Sequence, residues 1–142
     1  MTAKEYLRQG YLLDKRINSH IREKEEAMRM ACSISSPQMQ EDKVQSSPSG
    51  EAPFVKALER LWEMEENINA EIDKYVDLKN QIHEVISRVS LPEYQMVLRC
   101  RYIFNMTWEQ IGDELAMDER TVRRWHSQAI EQVVVPADPI II

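Results

Sequence analysis

Apolar residues recur at alternating intervals of four and three through the middle of the chain, from Phe54 to Val89. This spacing places them along one stripe of a helix and is typical of a coiled-coil seam. The predicted helix would be roughly 54 Å long at ~1.5 Å per residue, too long to be stable without a packing partner. The predicted seam positions are Phe54, Leu58, Leu61, Glu65, Ile68, Ile72, Tyr75, Lys79, Ile82, Ile86 and Val89.

A first helix, from about residue 2 to about residue 31, is predicted by apolar residues at helical intervals. These residues are Leu7, Leu13, Ile17, Ile21 and Met28. Between the two helices, residues 33–53 are rich in Ser, Pro, Gln and charge, which predicts a mobile connector. The connector is long enough for the first helix to fold back antiparallel, so residues 1–89 are predicted to form a helical hairpin. A second copy of the chain is the alternative partner, giving a homo-oligomer through the long helices.

Two polar residues, Glu65 and Lys79, interrupt the predicted seam. Polar seam residues can fix the register of a coiled coil at some cost in stability. Long charged side chains can also extend their ends into solvent while their stems stay packed, and we expect this of both residues.

Three short helices are predicted within residues 90–132. Ser90 with Glu93, and Thr107 with Gln110, match the capping-box pattern of a helix start, and Asp118 matches a simple N-cap. Asn105 is suited to a left-handed helix stop. The third helix is predicted to bury a stripe of Val122, Trp125, Ala129 and Ile130. A short helix braced across another is the arrangement of a helix-turn-helix, with Gly112 at their closest approach.

The outward face of the third helix is basic in a chain whose formal net charge is −6. Of the five basic residues after Leu91, three lie on this helix: Arg120, Arg123 and Arg124. The planar fork of arginine can make two hydrogen bonds to guanine or clamp a phosphate. A solvated surface is the alternative, but the placement of the cluster on this helix favours contact with nucleic acid.

The stretch PEYQMVLRCRYIFNMTWEQIGDELAMDERTVRRWHSQAI resembles region four of the bacterial sigma-70 family. It is more closely similar to phage and prophage transcription regulators of the ArpU/RinA type, which carry a sigma-region-four-like domain. The runs that carry the resemblance are Leu98–Tyr102, Thr107–Gly112 and Thr121–His126, the last followed by Ala129 and Ile130. About 40 of the 142 residues are covered.

The resemblance implies that the third helix reads a promoter element in the major groove. By position, Glu119, Arg120, Arg123 and Arg124 would read DNA, while Thr107 and Trp108 would lie near its backbone. With Thr121 and Ser127, these residues make up the predicted DNA-binding site. The chain departs from the family at Ala116, where the turn usually has glycine. It also lacks a counterpart of sigma region two, which favours a regulator acting beside polymerase over a complete sigma factor.

No catalytic, cofactor or metal-binding pattern is found in the sequence. Cys32 and Cys100 are too few for a disulfide framework or a four-cysteine zinc site, and we expect ordinary reduced thiols. His20, His83 and His126 have no partner at ligand spacing, and His126 is expected to be a phosphate or surface contact. The protein is therefore not expected to be an enzyme. No apolar run approaches the ~18 residues of a membrane span, so we expect a location in the bacterial cytoplasm.

The sequence thus predicts an all-α protein with three parts: the hairpin at 1–89, the helix-turn-helix domain at 90–132 and an apolar tail at 133–142. Two prolines exclude a helix from the tail, which we expect to cover a groove on its own domain. The favoured function is a sequence-specific DNA-binding transcription regulator whose partners are promoter DNA and RNA polymerase. The alternatives are a DNA-packaging adaptor of the small-terminase type, or a protein-interaction module with a degenerate helix-turn-helix.

Overall fold

The computed structural model describes residues 1–34 and 52–142, and the regular elements in these ranges are all helical. This confirms the predicted all-α fold class. The helices are α1 (Ala3–Ile34), α2 (Ala52–Ser87), α3 (Pro92–Leu98), α4 (Trp108–Leu115) and α5 (Glu119–Gln132), with a π-helical turn at Arg99–Ile103 directly after α3. Most of the predicted connector, 33–53, lies outside the described residues.

The chain forms two compact units. The first combines Met1–Asp14 with Lys74–Ile142 and is called the terminal unit below; the second, the middle unit, is Lys15–Asp73. The terminal unit therefore contains the start of α1, the end of α2 and all of the later helices.

In the middle unit, α1 and α2 pair antiparallel through ionic contacts. The carboxylate of Glu71 on α2 lies 3.3 Å from Arg16 Nε and 3.1 Å from His20 Nδ1. About one turn further along α1, Lys24 Nζ is 3.9 Å from the carboxylate of Glu65. The first helix thus lies against the second within one chain.

The buried stripe of α2 follows most of the predicted seam. The predicted positions that are buried or partly buried are Phe54, Leu58, Leu61, Ile68, Tyr75, Lys79, Ile82, Ile86 and, just after the helix, Val89. The predicted Glu65 and Ile72 are exposed, whereas Leu78 and Val85, outside the predicted seam, are buried. Because a helical turn has 3.6 residues, neighbours at both i+3 and i+4 can face the partner helix.

Lys79 was predicted to extend its charged end into solvent, and this prediction is wrong. Its ammonium donates hydrogen bonds to the carbonyl of Tyr102, at 2.9 Å, and to that of Ile103. Burial lowers the pKa of Lys79 below its usual value. These two carbonyls end the π-helical turn, where backbone acceptors have no partner within the helix. Lys79 therefore fixes this turn against α2, while Glu65 is exposed as expected.

The start of α3 corrects one predicted cap. The N-cap residue is Leu91, which makes no side-chain cap hydrogen bond, and Pro92 occupies the first helical turn. Ser90 lies one residue too early to cap this helix, and its hydroxyl instead donates to Gln132 Oε1 at 3.3 Å. The predicted capping box of Ser90 and Glu93 is therefore wrong.

The tail after α5 is non-helical and is held by two glutamines of the hairpin helices. Gln9 on α1 donates to the carbonyl of Ile140 and accepts from the backbone N–H of Ile142, both at 2.9 Å. Gln81 on α2 accepts from the N–H of Ile140 at 2.9 Å and donates to the carbonyl of Asp138 at 3.1 Å. The tail thus covers the hairpin end of the terminal unit.

Candidate nucleic-acid interface

The interface begins at the predicted capping box of α4, which the structure confirms. Thr107 has extended backbone, its hydroxyl accepts from the N–H of Gln110, and the Gln110 side chain accepts from the N–H of Thr107. Two N–H groups of the first turn are thereby satisfied. Before it, Asn105 has φ 54°, so the predicted left-handed stop is also confirmed.

A three-residue turn joins α4 to α5. It begins at Ala116, which is left-handed with φ 54° and ψ 46°, and the N–H of Met117 donates to the carbonyl of Gly112 at 2.9 Å. Asp118 then caps α5 by accepting from the N–H of Thr121 at 3.2 Å, and this hydrogen bonding lowers the pKa of Asp118. A Cβ on Gly112 would lie 2.7 Å from the Met117 carbonyl oxygen. Gly112 is therefore required by the backbone of the turn.

Ala116→Gly is expected to stabilise the protein by about 0.5–1 kcal/mol. A left-handed conformation costs a residue with a Cβ ~1–2 kcal/mol, and the added freedom of glycine in the unfolded chain offsets part of the gain. Urea unfolding of the variant and the wild type would measure the difference. Ala70→Gly is the matched control, because Ala70 is exposed inside α2 and the substitution should destabilise a helix interior. Loss of stability in both variants would contradict strain at Ala116.

The three short helices enclose a small core that fixes the direction of α5. Its fully enclosed members are Val97, Cys100, Ile111 and Val122, and Met106, Trp108, Leu115, Met117 and Trp125 pack around them. Tyr94 on α3 donates to Gln128 on α5 at 2.7 Å, and the Tyr94 ring meets Trp125 edge-on at 6.3 Å. One face of α5 is thereby held against α3 and α4, and the opposite face is exposed.

The exposed face of α5 carries the residues predicted for DNA contact. Glu119, Arg120, Arg123, Arg124 and Ser127 are exposed, and Thr121 is partly exposed. Arg123 pairs with Glu119 at 2.7 Å, one turn earlier. Within the described ranges, Arg120 and Arg124 make no ion pair within 4.0 Å and are exposed, and the charge of Arg124 contributes to the lowered pKa of Asp118.

Trp108, predicted to lie near the DNA backbone, is the point where three other side chains meet. The guanidinium of Arg101 lies 4.1 Å from the centre of its ring, and that of Arg123 lies 5.7 Å away. The His126 ring meets it edge-on at 4.8 Å. Arg101 was not among the predicted site residues, because its approach to Trp108 depends on the π-helical turn, which no sequence pattern indicated.

His126 is buried, and the prediction of a surface contact is wrong. Its side chain is 6% exposed, and Nε2 lies 2.6 Å from the hydroxyl of Tyr102. Burial, together with the positive charges of Lys4 and Arg101, lowers the pKa of His126 to about 4. The imidazole is therefore neutral at pH 7.

Trp125 is only partly buried, which corrects the prediction of a fully covered ring. Val122, His126 and Ala129, spaced by four and three, form the covered line of α5. Trp125 lies at the edge of this line, where α3 covers one side of the ring. We therefore expect Trp125→Ala to lower the free energy of unfolding by less than the ~3–5 kcal/mol typical of a fully buried tryptophan.

Neither a membrane-spanning helix nor a metal centre is found in the part of the chain that the structure describes. None of the described helices is long and apolar enough to cross a membrane. Residues 1–34 and 52–142 also contain no group of three or more His, Cys, Asp or Glu side chains that could hold a metal ion.

The helices α4 and α5, with the turn between them, define an all-α protein with a helix-turn-helix in its terminal unit. The model of the family described as "Protein of unknown function (DUF1492)" matches residues 33–133, and the chain belongs to this family. No curated protein and no solved structure matches the chain.

Proposed function

We propose that the protein is a sequence-specific DNA-binding regulator of transcription that inserts α5 into the major groove. The observation that carries the proposal is the exposed arginine face on the second helix of a helix-turn-helix, in a chain of net charge −6. In this motif the second helix lies in the groove and its first residues contact base edges. The resemblance to phage and prophage regulators of the ArpU/RinA type supports the same assignment.

The contacts of the three arginines suggest different roles for them. Arg120 and Arg124 are one turn apart on the same face and have no ion-pair partner among the described residues, so both are suited to base edges. Arg123 is paired with Glu119 and lies over Trp108, which directs it toward the α4 side of the motif. We assign Arg123 to a backbone phosphate, beside Thr107 and Trp108.

Arg120→Ala and Arg124→Ala are each expected to weaken binding to the specific site by roughly 5- to 150-fold, equivalent to ~1–3 kcal/mol. Arg123→Ala should weaken binding to specific and non-specific DNA alike. It should also lower by about one the slope of the logarithm of the binding constant against the logarithm of the salt concentration. The measurement is a titration of promoter DNA from the same genome, and of a scrambled duplex, at several salt concentrations. The control is Arg88→Ala, which removes an exposed arginine outside α5 and should bind as the wild type does.

Two outcomes would contradict this proposal. One is that the wild type retains no duplex at low salt, and the other is that all three α5 variants bind as tightly as Arg88→Ala. In either case the arginines form a solvated face, and a protein-interaction module becomes the better description. A closed ring of many subunits in solution would instead favour the DNA-packaging adaptor.

The proposal extends to RNA polymerase as a partner in the bacterial cytoplasm. A domain similar to sigma region four would contact promoter DNA beside RNA polymerase. Co-purification of polymerase with the wild type on promoter DNA, compared with Arg120→Ala, is the direct test of this part.

A further inference from the structure

A cleft of about 390 Å³ opens in the terminal unit beside the exposed face of α5. Its walls come from the first turns of α1, the π-helical turn and the start of α4, and its floor includes Tyr102 and His126. This volume is within the ~300–1,000 Å³ range of small-molecule sites. Both floor residues are less than 10% exposed, so the cleft is a concave site and not part of the outer surface.

The charged residues that line the cleft are all basic. They are Lys4 and Arg8 on α1 and Arg101 on the π-helical turn, and no Asp or Glu lines the cleft. Within the described residues, none of the three makes an ion pair. Three unneutralised cations around one cavity, in a protein of net charge −6, fit an anion with more than one negative charge.

The positive charge reaches the floor of the cleft. Lys4 and Arg101 both add to the lowering of the His126 pKa, and Arg101 and Arg8 oppose the rise of the Tyr102 pKa. Burial remains the larger cause in both cases. Because His126 is neutral at pH 7, it contributes a flat ring and no charge.

Aromatic rings and one amide complete the lining. Tyr11 and Trp108 lie next to the cations, with the guanidinium of Arg101 4.1 Å from the centre of the Trp108 ring. Asn105 also lines the cleft, and its side chain is held by a hydrogen bond with Tyr75.

We infer that this cleft binds a nucleoside phosphate, with the phosphate held by Lys4, Arg8 and Arg101 and the base placed against the aromatic rings. Inorganic phosphate would use only the cations, and a nucleoside only the rings. A nucleoside phosphate uses both features.

The position of the site links it to α5. Arg101 contacts Trp108 on one side, and Arg123 of α5 lies over the same ring. His126 forms part of the floor and belongs to α5 itself. Occupation of the cleft would therefore bridge α1, the π-helical turn and α5.

The test is isothermal titration of the full chain with the four nucleoside 5′-monophosphates, inorganic phosphate and the four nucleosides. At least one monophosphate is expected to bind one per chain and at least tenfold more tightly than phosphate or its own nucleoside. Lys4→Ala and Arg8→Ala, both at exposed positions of α1, should each weaken this binding about tenfold, while Arg88→Ala should leave it unchanged.

Three results would overturn the inference. These are no binding of any monophosphate at millimolar concentration, equal binding of phosphate and the best monophosphate, and unchanged affinity in both α1 variants. If Arg8→Ala weakened the binding of duplex DNA and no monophosphate bound, the cations would belong to the DNA interface. Arg120→Ala and Arg124→Ala should leave monophosphate binding intact, so the site is tested separately from the DNA-binding proposal.

Discussion

Acidification from pH 7 to pH 4 is expected to lower the free energy of unfolding by up to about 3 kcal/mol through His126 alone. The pKa of this side chain is about 4 in the folded protein, against 6.5 for the ordinary group. Between these values the unfolded chain binds a proton that the folded protein does not bind. Stability therefore falls as the pH drops from about 6.5 to about 4. Above pH 6.5, His126 adds nothing to the pH dependence of the free energy of unfolding.

Urea unfolding between pH 4 and pH 7 measures this effect, with His126→Gln as the decisive variant. Glutamine does not titrate and offers a polar group to the Tyr102 hydroxyl, so its pH profile should be flatter than that of the wild type. Parallel profiles for His126→Gln and the wild type would show that another group is responsible.

Gly112→Ala is expected to destabilise the protein by roughly 1–3 kcal/mol, because the added Cβ overpacks a rigid site. The new carbon would lie 2.7 Å from the carbonyl oxygen of Met117, and that oxygen is backbone, which cannot rotate away as a side chain could. The turn must open, and α5 must then move relative to α4. DNA binding should fall with stability.

Alanine at the next position, in Asp113→Ala, distinguishes the effect of this clash from the effect of alanine on helix stability. Asp113 is exposed on α4, so Asp113→Ala adds no contact and should change stability by less than about 0.5 kcal/mol. Both variants can be compared by urea unfolding followed through tryptophan fluorescence. A Gly112→Ala protein as stable as the wild type would mean that the turn tolerates a wider separation of the two helices.

Several features of this fold that depend on neighbouring residues were predictable from sequence, although the cap at Ser90 was not. Thr107 and Asp118 cap their helices as expected, because a hydroxyl or carboxylate reaches the N–H three residues later whatever the rest of the fold does. Asn105 tolerates a left-handed backbone for a similarly local reason. These three residues fix where the short helices start and stop.

The features that depend on distant residues were not predictable. Trp125 and His126 are adjacent on α5, and a helical pattern favoured the larger apolar ring for burial. The structure buries His126 instead, because the Tyr102 hydroxyl satisfies its ring nitrogen. The cleft was also missed, since Lys4 and Arg8 meet Arg101 only after the chain has folded back, and each looks like a surface charge in the sequence.

The division of the chain into a terminal and a middle unit has a kinetic consequence. The terminal unit joins Met1–Asp14 to Lys74–Ile142, so its folding must close the whole intervening segment as a loop. Loop-closure entropy is lost before the long-range contacts of Tyr6 and Gln9 with Gln81 and Ile140 form. The short helices α3 to α5 can assemble locally and quickly, whereas the docking of the first turns of α1 must come later. During synthesis, these first residues wait until α2 and the tail have emerged, so the basic cleft is completed last.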